Sequence, residues 1–160
     1  MKFFILLNSL FLSSALYAFG PNFPAGPNQQ LTPGKLCDKP TSFRYPEHIA
    51  YCERNVTYET KEFLIKNYDV KLGFRIESMD RAEFKIDHFI PLCAGGSNDT
   101  VNLWPQHKSV YEITDPVEPL ICDKMAMGKL SQADAVKLII RAKTDLSQVS
   151  AVIQLLNGIR

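Results

Sequence analysis

Residues 84–106 read Phe84-Lys85-Ile86-Asp87-His88-Phe89-Ile90-Pro91-Leu92-Cys93-Ala94-Gly95-Gly96-Ser97-Asn98-Asp99-Thr100-Val101-Asn102-Leu103-Trp104-Pro105-Gln106. Lys85 to Leu92 is mostly β-compatible, and Pro91 suits a strand edge, where a missing N–H is tolerated. Gly95-Gly96 supplies the backbone freedom for a tight reversal. Ser97, Asn98 and Asp99 continue the loop, and Val101 to Trp104 can return as a short second strand. The stretch predicts a hairpin with an acid and a histidine side by side. Neighbouring strand residues point to opposite faces. Asp87 and His88 therefore share a site only if a bend or bulge re-aims one of them.

These residue types suit hydrolysis of a phosphodiester. A base must activate water near neutral pH, and histidine has the fitting unperturbed pKa. A divalent cation offsets charge on the phosphate and the leaving oxygen, and Asp87 offers the hard oxygen that such an ion prefers. The Asp87-His88 pair, the Gly-Gly turn, the Asn-Leu-Trp-Pro run and the spacing of fourteen residues from His88 to Asn102 resemble the HNH nucleases. That family is built on a ββα-metal finger. The resemblance implies that His88 is the general base and that Asn102 pins the loop between the strands by hydrogen bonds to backbone. It further implies one divalent metal ion held by Asp87 and a group from the following helix.

The third member of the motif departs from the family pattern. Twenty-three residues after His88, where many HNH proteins place His or Asn, stands Tyr111, a poor ligand for a hard cation. The chain resembles a secreted bacterial subgroup with Asn-Leu-Trp-Pro-Gln, an acid-bearing helix and a cysteine soon after. In that subgroup the loop before the helix varies in length. A shift of one residue makes Glu112 the helical ligand and favours Mg²⁺ or Mn²⁺. His107 competes with it and tilts the site toward Zn²⁺ or Ni²⁺. Asp115 and Glu118 are assigned to the helix itself, Asp115 as an N-cap before Pro116.

The chain opens with one positive charge at Lys2 and an apolar run from Phe3 to Ala18. That is the layout of a signal peptide over residues 1–18, too short for a comfortable membrane span. The expected compartment is secreted or periplasmic, in a bacterium, with no membrane association after cleavage. All four cysteines, Cys37, Cys52, Cys93 and Cys122, lie in the mature part, and no CxxC pair exists. An even count in a small exported protein reads as two disulfides. Of three pairings, Cys37–Cys52 and Cys93–Cys122 are favoured, the second stapling the loop after His88 to a helix beyond the finger. Asn55-Val56-Thr57 and Asn98-Asp99-Thr100 match the glycosylation pattern, which carries no weight in an exported bacterial protein.

Residues 19–35 are rich in Pro, Gly, Asn and Gln and read as a flexible or polyproline-like lead. Residues 36–160 remain as one nuclease-like domain with a real core. An element should run from Arg44 to Cys52, a helix from Thr57 to Asn67 with Phe63, Leu64 and Tyr68 on one side, and a short strand from Phe74 to Ile76. Helices should follow over Pro116–Met127, stopping at Gly128, and from a capping box at Ser131 and Asp134 through Lys143. Thr144 should cap a last helix closed by Asn157-Gly158. Val149, Val152, Ile153 and Leu156 supply its buried stripe. The fold class expected is α+β: a small, mainly helical, disulfide-stapled domain around the ββα finger.

The chain carries 18 Lys and Arg against 17 Asp and Glu, a formal +1. Loss of Lys2 with the signal leaves the mature part neutral. A strong nucleic-acid binder usually shows a basic excess, so phosphate contacts must come from local groups such as Arg75, Arg81, Lys85 and Lys108. Arg81 and Lys85 flank the Asp-His strand and are the leading candidates. The function expected is a metal-dependent endonuclease acting on nucleic acid, DNA favoured over RNA. The alternative is a catalytically degenerate HNH-like fold that binds nucleic acid, metal or a protein partner. Sequence specificity and oligomeric state are not legible.

Overall fold

The computed structural model describes residues 22–160, so the expected signal segment 1–18 lies outside the described residues. Among those described, the fold is α+β, with helices outweighing two small antiparallel two-stranded sheets. No described helix is long and apolar enough to cross a membrane. Both favoured disulfides are present, Cys37–Cys52 and Cys93–Cys122, and no cysteine is free.

The element expected over 44–52 is a hairpin. Strand β1 (Ser42–Arg44) pairs with β2 (Ile49–Tyr51), and Tyr45 and His48 take positive φ at the turn. Helix α1 (Tyr58–Leu72) starts on Thr57, whose side chain accepts from the Thr60 N–H, and ends at Gly73 in the left-handed region. It runs five residues further than expected. Leu64, Ile65 and Tyr68 form its buried stripe, while Phe63 falls off that stripe and is exposed. No strand forms over 74–76. The Asp69 carboxylate accepts the N–H groups of Ile76 and Glu77, both at 2.9 Å, and a 3-10 turn follows at Ile76–Ser78. A side chain that satisfies local N–H groups competes with strand pairing.

The decisive hairpin is β3 (Phe84–His88) against β4 (Leu103–His107), in regular register from Phe84↔His107 to His88↔Leu103. Helix α2 (Lys108–Thr114) begins at the next residue. Strand β3 stops before Leu92 because the chain turns at Pro91–Ala94. Gly95 has φ +82, and a Cβ on Gly96 would sit 1.8 Å from the Ile90 carbonyl oxygen. The Gly-Gly pair is thus required, once for its dihedral and once for its close approach.

Helices α3 (Val117–Ala126), α4 (Gln132–Thr144) and α5 (Val149–Gly158) complete the chain. Ser131 caps α4 as expected, accepting from the Asp134 N–H. Thr144 does not cap the last helix. Its hydroxyl donates back to the Ile140 carbonyl at 2.7 Å, and Asp145 caps the turn before α5 instead. Two apolar clusters result. One joins α3, α4 and α5 through Ile121, Ile139 and Leu156, with Ile49 and Ile90. The other joins α1, the hairpin and α2 through Tyr68, Phe89, Trp104 and Val110.

The Pro- and Gly-rich lead is not a free tether over its described part. Thr32 is fully buried, bonds the Tyr68 hydroxyl at 2.7 Å and donates to the Leu103 carbonyl at 3.0 Å. Gly26 lies against the end of α4, where a Cβ would meet the Lys143 carbonyl oxygen at 2.8 Å. The domain therefore begins well before Leu36. Its polar composition misled because a few apolar residues, Phe23 and Leu31 against the second cluster with Pro24 and Pro27 buried, act together with main-chain and hydroxyl bonds to dock this segment.

Candidate active site

His88 ends β3 and is buried. Its Nε2 lies 3.1 Å from the Asn98 Oδ1, and its Nδ1 lies 3.4 Å from Nη1 of Arg54. A carbonyl oxygen only accepts and a guanidinium only donates. Both partners therefore require the same neutral tautomer, with the proton on Nε2 and the lone pair on Nδ1. Asn98 is itself held, donating to the Glu53 carbonyl at 2.7 Å. Arg54 also donates to the Ile86 carbonyl at 3.2 Å. Burial lowers the His88 pKa to about 4; the Asn98 bond opposes that shift and the Arg54 charge adds to it. The ring is unprotonated at neutral pH.

Asn102 is fully buried and latches the turn. Its amide oxygen accepts from the Ile90 N–H at 2.9 Å, and its amide nitrogen donates to the carbonyls of Ile90 at 3.0 Å and Ser97 at 2.9 Å. The loop that carries Asn98 is thereby fixed to the strand that carries His88.

Asp87 and His88 line one cleft of about 170 Å³ with Arg54, Glu118, Pro91, Leu92 and the Cys93–Cys122 bridge. The β3–β4 register stays regular through both residues, so no bulge re-aims either of them. The cleft reaches the two because the strand ends there and the chain turns away at Pro91. Arg54 and Asn98 also line a larger neighbouring hollow of about 520 Å³ with Asp38, Lys39, Glu53 and Asp99. His88 thus sits where two depressions adjoin.

Glu118 was assigned to helix stability from the sequence; it belongs to the cleft instead. It projects from α3, and its Oε1 accepts from Lys143 at 2.6 Å. The same Lys143 Nζ donates to Asp87 Oδ2 and to the His88 carbonyl, both at 2.6 Å. Lys143 is fully buried. Burial works to lower its pKa, but Asp87 and Glu118 together raise it. Burial likewise works to raise Asp87, and the Lys143 and Lys85 charges hold that carboxyl below its ordinary range. For Glu118 burial prevails over Lys143 and the pKa is raised.

The helical ligands expected for Asp87 are not brought to it. Glu112 is exposed on α2 and faces Lys108, whose Nζ is 3.8 Å away. Lys85 reaches the Asp115 carboxylate at 2.6 Å and the Tyr111 ring at 4.9 Å, so Tyr111 and Asp115 form the face turned toward β3. Glu112 lies about 100° further round the helix. His107 caps α2, stacks on Phe23 at 3.9 Å and stands 3.6 Å from the Glu83 carboxylate. It pairs with Phe84 at the opposite end of the hairpin, three strand positions or about 10 Å from Asp87. Of the two phosphate candidates, Lys85 is engaged by Asp115 and by Asp87 at 3.4 Å, and Arg81 donates to the Phe84 carbonyl at 2.5 Å, beside His107 rather than His88.

The arrangement does not fit the divalent ion that the resemblance implies. The oxygens of Asp87 face two ammonium groups, and the position between Asp87 and Glu118 is filled by Lys143. Sequence reasoning missed Arg54, Asn98, Glu118 and Lys143. Nothing in local patterning distinguishes them, apart from Lys143 falling on the buried face of α4, four residues after Ile139. Compared with protein-family models, with curated proteins and with solved structures, the chain gives no match.

Proposed function

We propose that this chain is an endonuclease that hydrolyses phosphodiester bonds in nucleic acid, with His88 as general base. The observation that carries the reading is the imposed tautomer of His88. A neutral imidazole in a cleft turns its lone pair toward a guanidinium, the group best suited to hold a phosphate. A phosphate entering the cleft takes the Arg54 donors that now face Nδ1. A water beside Nδ1 then attacks phosphorus as its proton passes to the ring. The bond from phosphorus to the departing sugar oxygen breaks, and that oxygen keeps the electron pair and takes a proton from solvent. The imidazolium returns its proton to solvent. A pKa of about 4 makes the free ring a weak base, and the charge of the bound phosphate raises it where it is needed.

The paired disulfides and the signal-like segment support an exported protein working in an oxidising compartment. DNA is favoured over RNA as the substrate, and cleavage that depends on Mg²⁺ or Mn²⁺ at Asp87 is the rival form of the mechanism. A plasmid-nicking assay on the oxidised mature chain, run with EDTA, Mg²⁺ and Mn²⁺, tests the reading. Wild type should nick, and His88→Ala should lower the rate by about 10²-fold or more. Failure to cleave DNA or RNA under every condition overturns it. A non-catalytic nucleic-acid-binding or partner-binding domain is then the better reading, in which Arg54 and Asn98 simply satisfy the two ring nitrogens.

A further inference from the structure

Three oxygens from two elements converge on one buried cation. The carboxylate of Asp87 comes from β3, that of Glu118 from α3, and the carbonyl of His88 from the strand end. Each lies 2.6 Å from Lys143 Nζ. Two carboxylates and a carbonyl make the hard-oxygen set that Mg²⁺ or Mn²⁺ would also choose. Here the chain supplies the cation, on a helix whose end is closed over by the backbone at Gly26. Lys143 does not line the cleft; Asp87 and Glu118 do. Its charge therefore acts from behind them.

An uncompensated carboxylate pair would repel a phosphate entering beside His88. A divalent ion is one means of cancelling that charge, and a fixed ammonium is another. We infer that Lys143 is the resident cation of this centre, standing in the position of a divalent ion, and that cleavage at His88 proceeds without added metal. The inference rests on the nuclease reading and goes beyond it. Lys143 is a positioning residue: it fixes both carboxylates and the His88 main chain, and leaves the phosphate itself to Arg54.

The test uses the oxidised mature chain. Wild type should nick plasmid in excess EDTA at an undiminished rate and should take up no Mn²⁺ by electron paramagnetic resonance. Lys143→Met, checked for fold by circular dichroism, vacates the position. It should bind Mn²⁺, lose about 10²-fold of its cleavage in EDTA, the scale of one electrostatic donor, and regain cleavage when Mn²⁺ is added. Wild-type cleavage that EDTA abolishes and Mg²⁺ or Mn²⁺ restores overturns the inference while leaving the nuclease reading intact. Absence of cleavage under all conditions overturns both. If Lys143→Met does not fold, the wild-type EDTA and Mn²⁺ measurements decide alone: cleavage in EDTA without Mn²⁺ uptake supports the inference, and metal-dependent cleavage refutes it.

Discussion

Replacing Asn102 with Ala removes one side chain and strands three main-chain groups of its own turn, besides the Lys35 N–H that donates to it at 3.4 Å. The Ile90 N–H loses its acceptor at 2.9 Å, and the carbonyls of Ile90 and Ser97 lose donors at 3.0 and 2.9 Å. Asn102 is fully buried, and Ile90 and Ser97 are 5% and 2% exposed, so water does not readily replace the amide. An unsatisfied buried polar group costs about 1–3 kcal/mol. Partial relaxation of the turn brings the sum for three groups to about 4 kcal/mol, a large share of the roughly 5–15 kcal/mol typical of a domain. Urea denaturation followed by the fluorescence of Trp104, the single tryptophan and fully buried, measures it. Asn102→Asp is the companion variant. It keeps the acceptor for Ile90 but turns an oxygen toward two carbonyls, so it should cost at least as much. A loss below about 1 kcal/mol for Asn102→Ala would refute the latch, because a single unsatisfied group already costs that much.

Four further outcomes are expected. The folded pKa of His88, about 4, lies below its unfolded value of 6.5, so between those values the unfolded chain binds the proton and the folded chain does not. This group's contribution is therefore fully present above pH 6.5 and is lost as pH falls toward 4, by about 3 kcal/mol in all; denaturation at pH 7 and pH 4.5 should show a smaller acid loss in His88→Gln than in wild type. Arg54→Ala should raise KM and lower kcat together in the nicking assay, whereas an unchanged KM would remove Arg54 from phosphate binding. Replacing both Cys93 and Cys122 with Ser opens a closure spanning 29 residues, and the melting curve should report a loss of about 3.5 kcal/mol. Gly96→Ala must displace the Ile90 carbonyl; a loss of about 2–3 kcal/mol is expected by urea denaturation, and a neutral result would mean that the turn moves freely.

What the sequence made legible lies within one short stretch. The strand, the Gly-Gly turn and the latch residue are close in sequence, so type and spacing alone constrain their geometry. The Ser131 cap of α4 was readable for the same reason, since donor and acceptor stand three residues apart. Strand limits were less legible: past His88 the Phe89 N–H still donates to the Asn102 carbonyl, but the Ile90 N–H goes to the Asn102 side chain and the chain turns at Pro91. The remote members of the site were hidden. Arg54 reaches His88 across 34 positions, and Lys143 reaches Asp87 across 56. Arg54 arrives from the loop between β2 and α1 and Lys143 from the packing of α4, and the apolar contacts that set such tertiary packing say nothing about which polar group arrives. Glu112 and Glu118 illustrate the point. Both are acids on helices after the hairpin, and only the rotation of α2 and the placement of α3 decide that Glu118 meets the cleft.

The placement of α3 is set by its apolar packing against α4 and α5, and two ties at the cleft add to it. On one side the Cys93–Cys122 bridge joins the turn after His88 to α3, one helical turn beyond Glu118. On the other, Lys143 on α4 joins Glu118 to Asp87 and to the His88 main chain. With the apolar face of α3 packed on α4 and α5, the two ties together fix the Glu118 carboxylate relative to the imidazole. The two differ in character. The disulfide depends on an oxidising compartment, while the buried ion pair depends on both partners, since removing one leaves an uncompensated charge that costs about 3–5 kcal/mol. Reduction and charge removal should therefore disturb the same geometry by separate routes. Reduction also opens Cys37–Cys52, beside the Glu53 carbonyl that holds Asn98 and two residues from Arg54, so only selective replacement of Cys93 and Cys122 should leave the His88 tautomer in place while loosening its acidic neighbour.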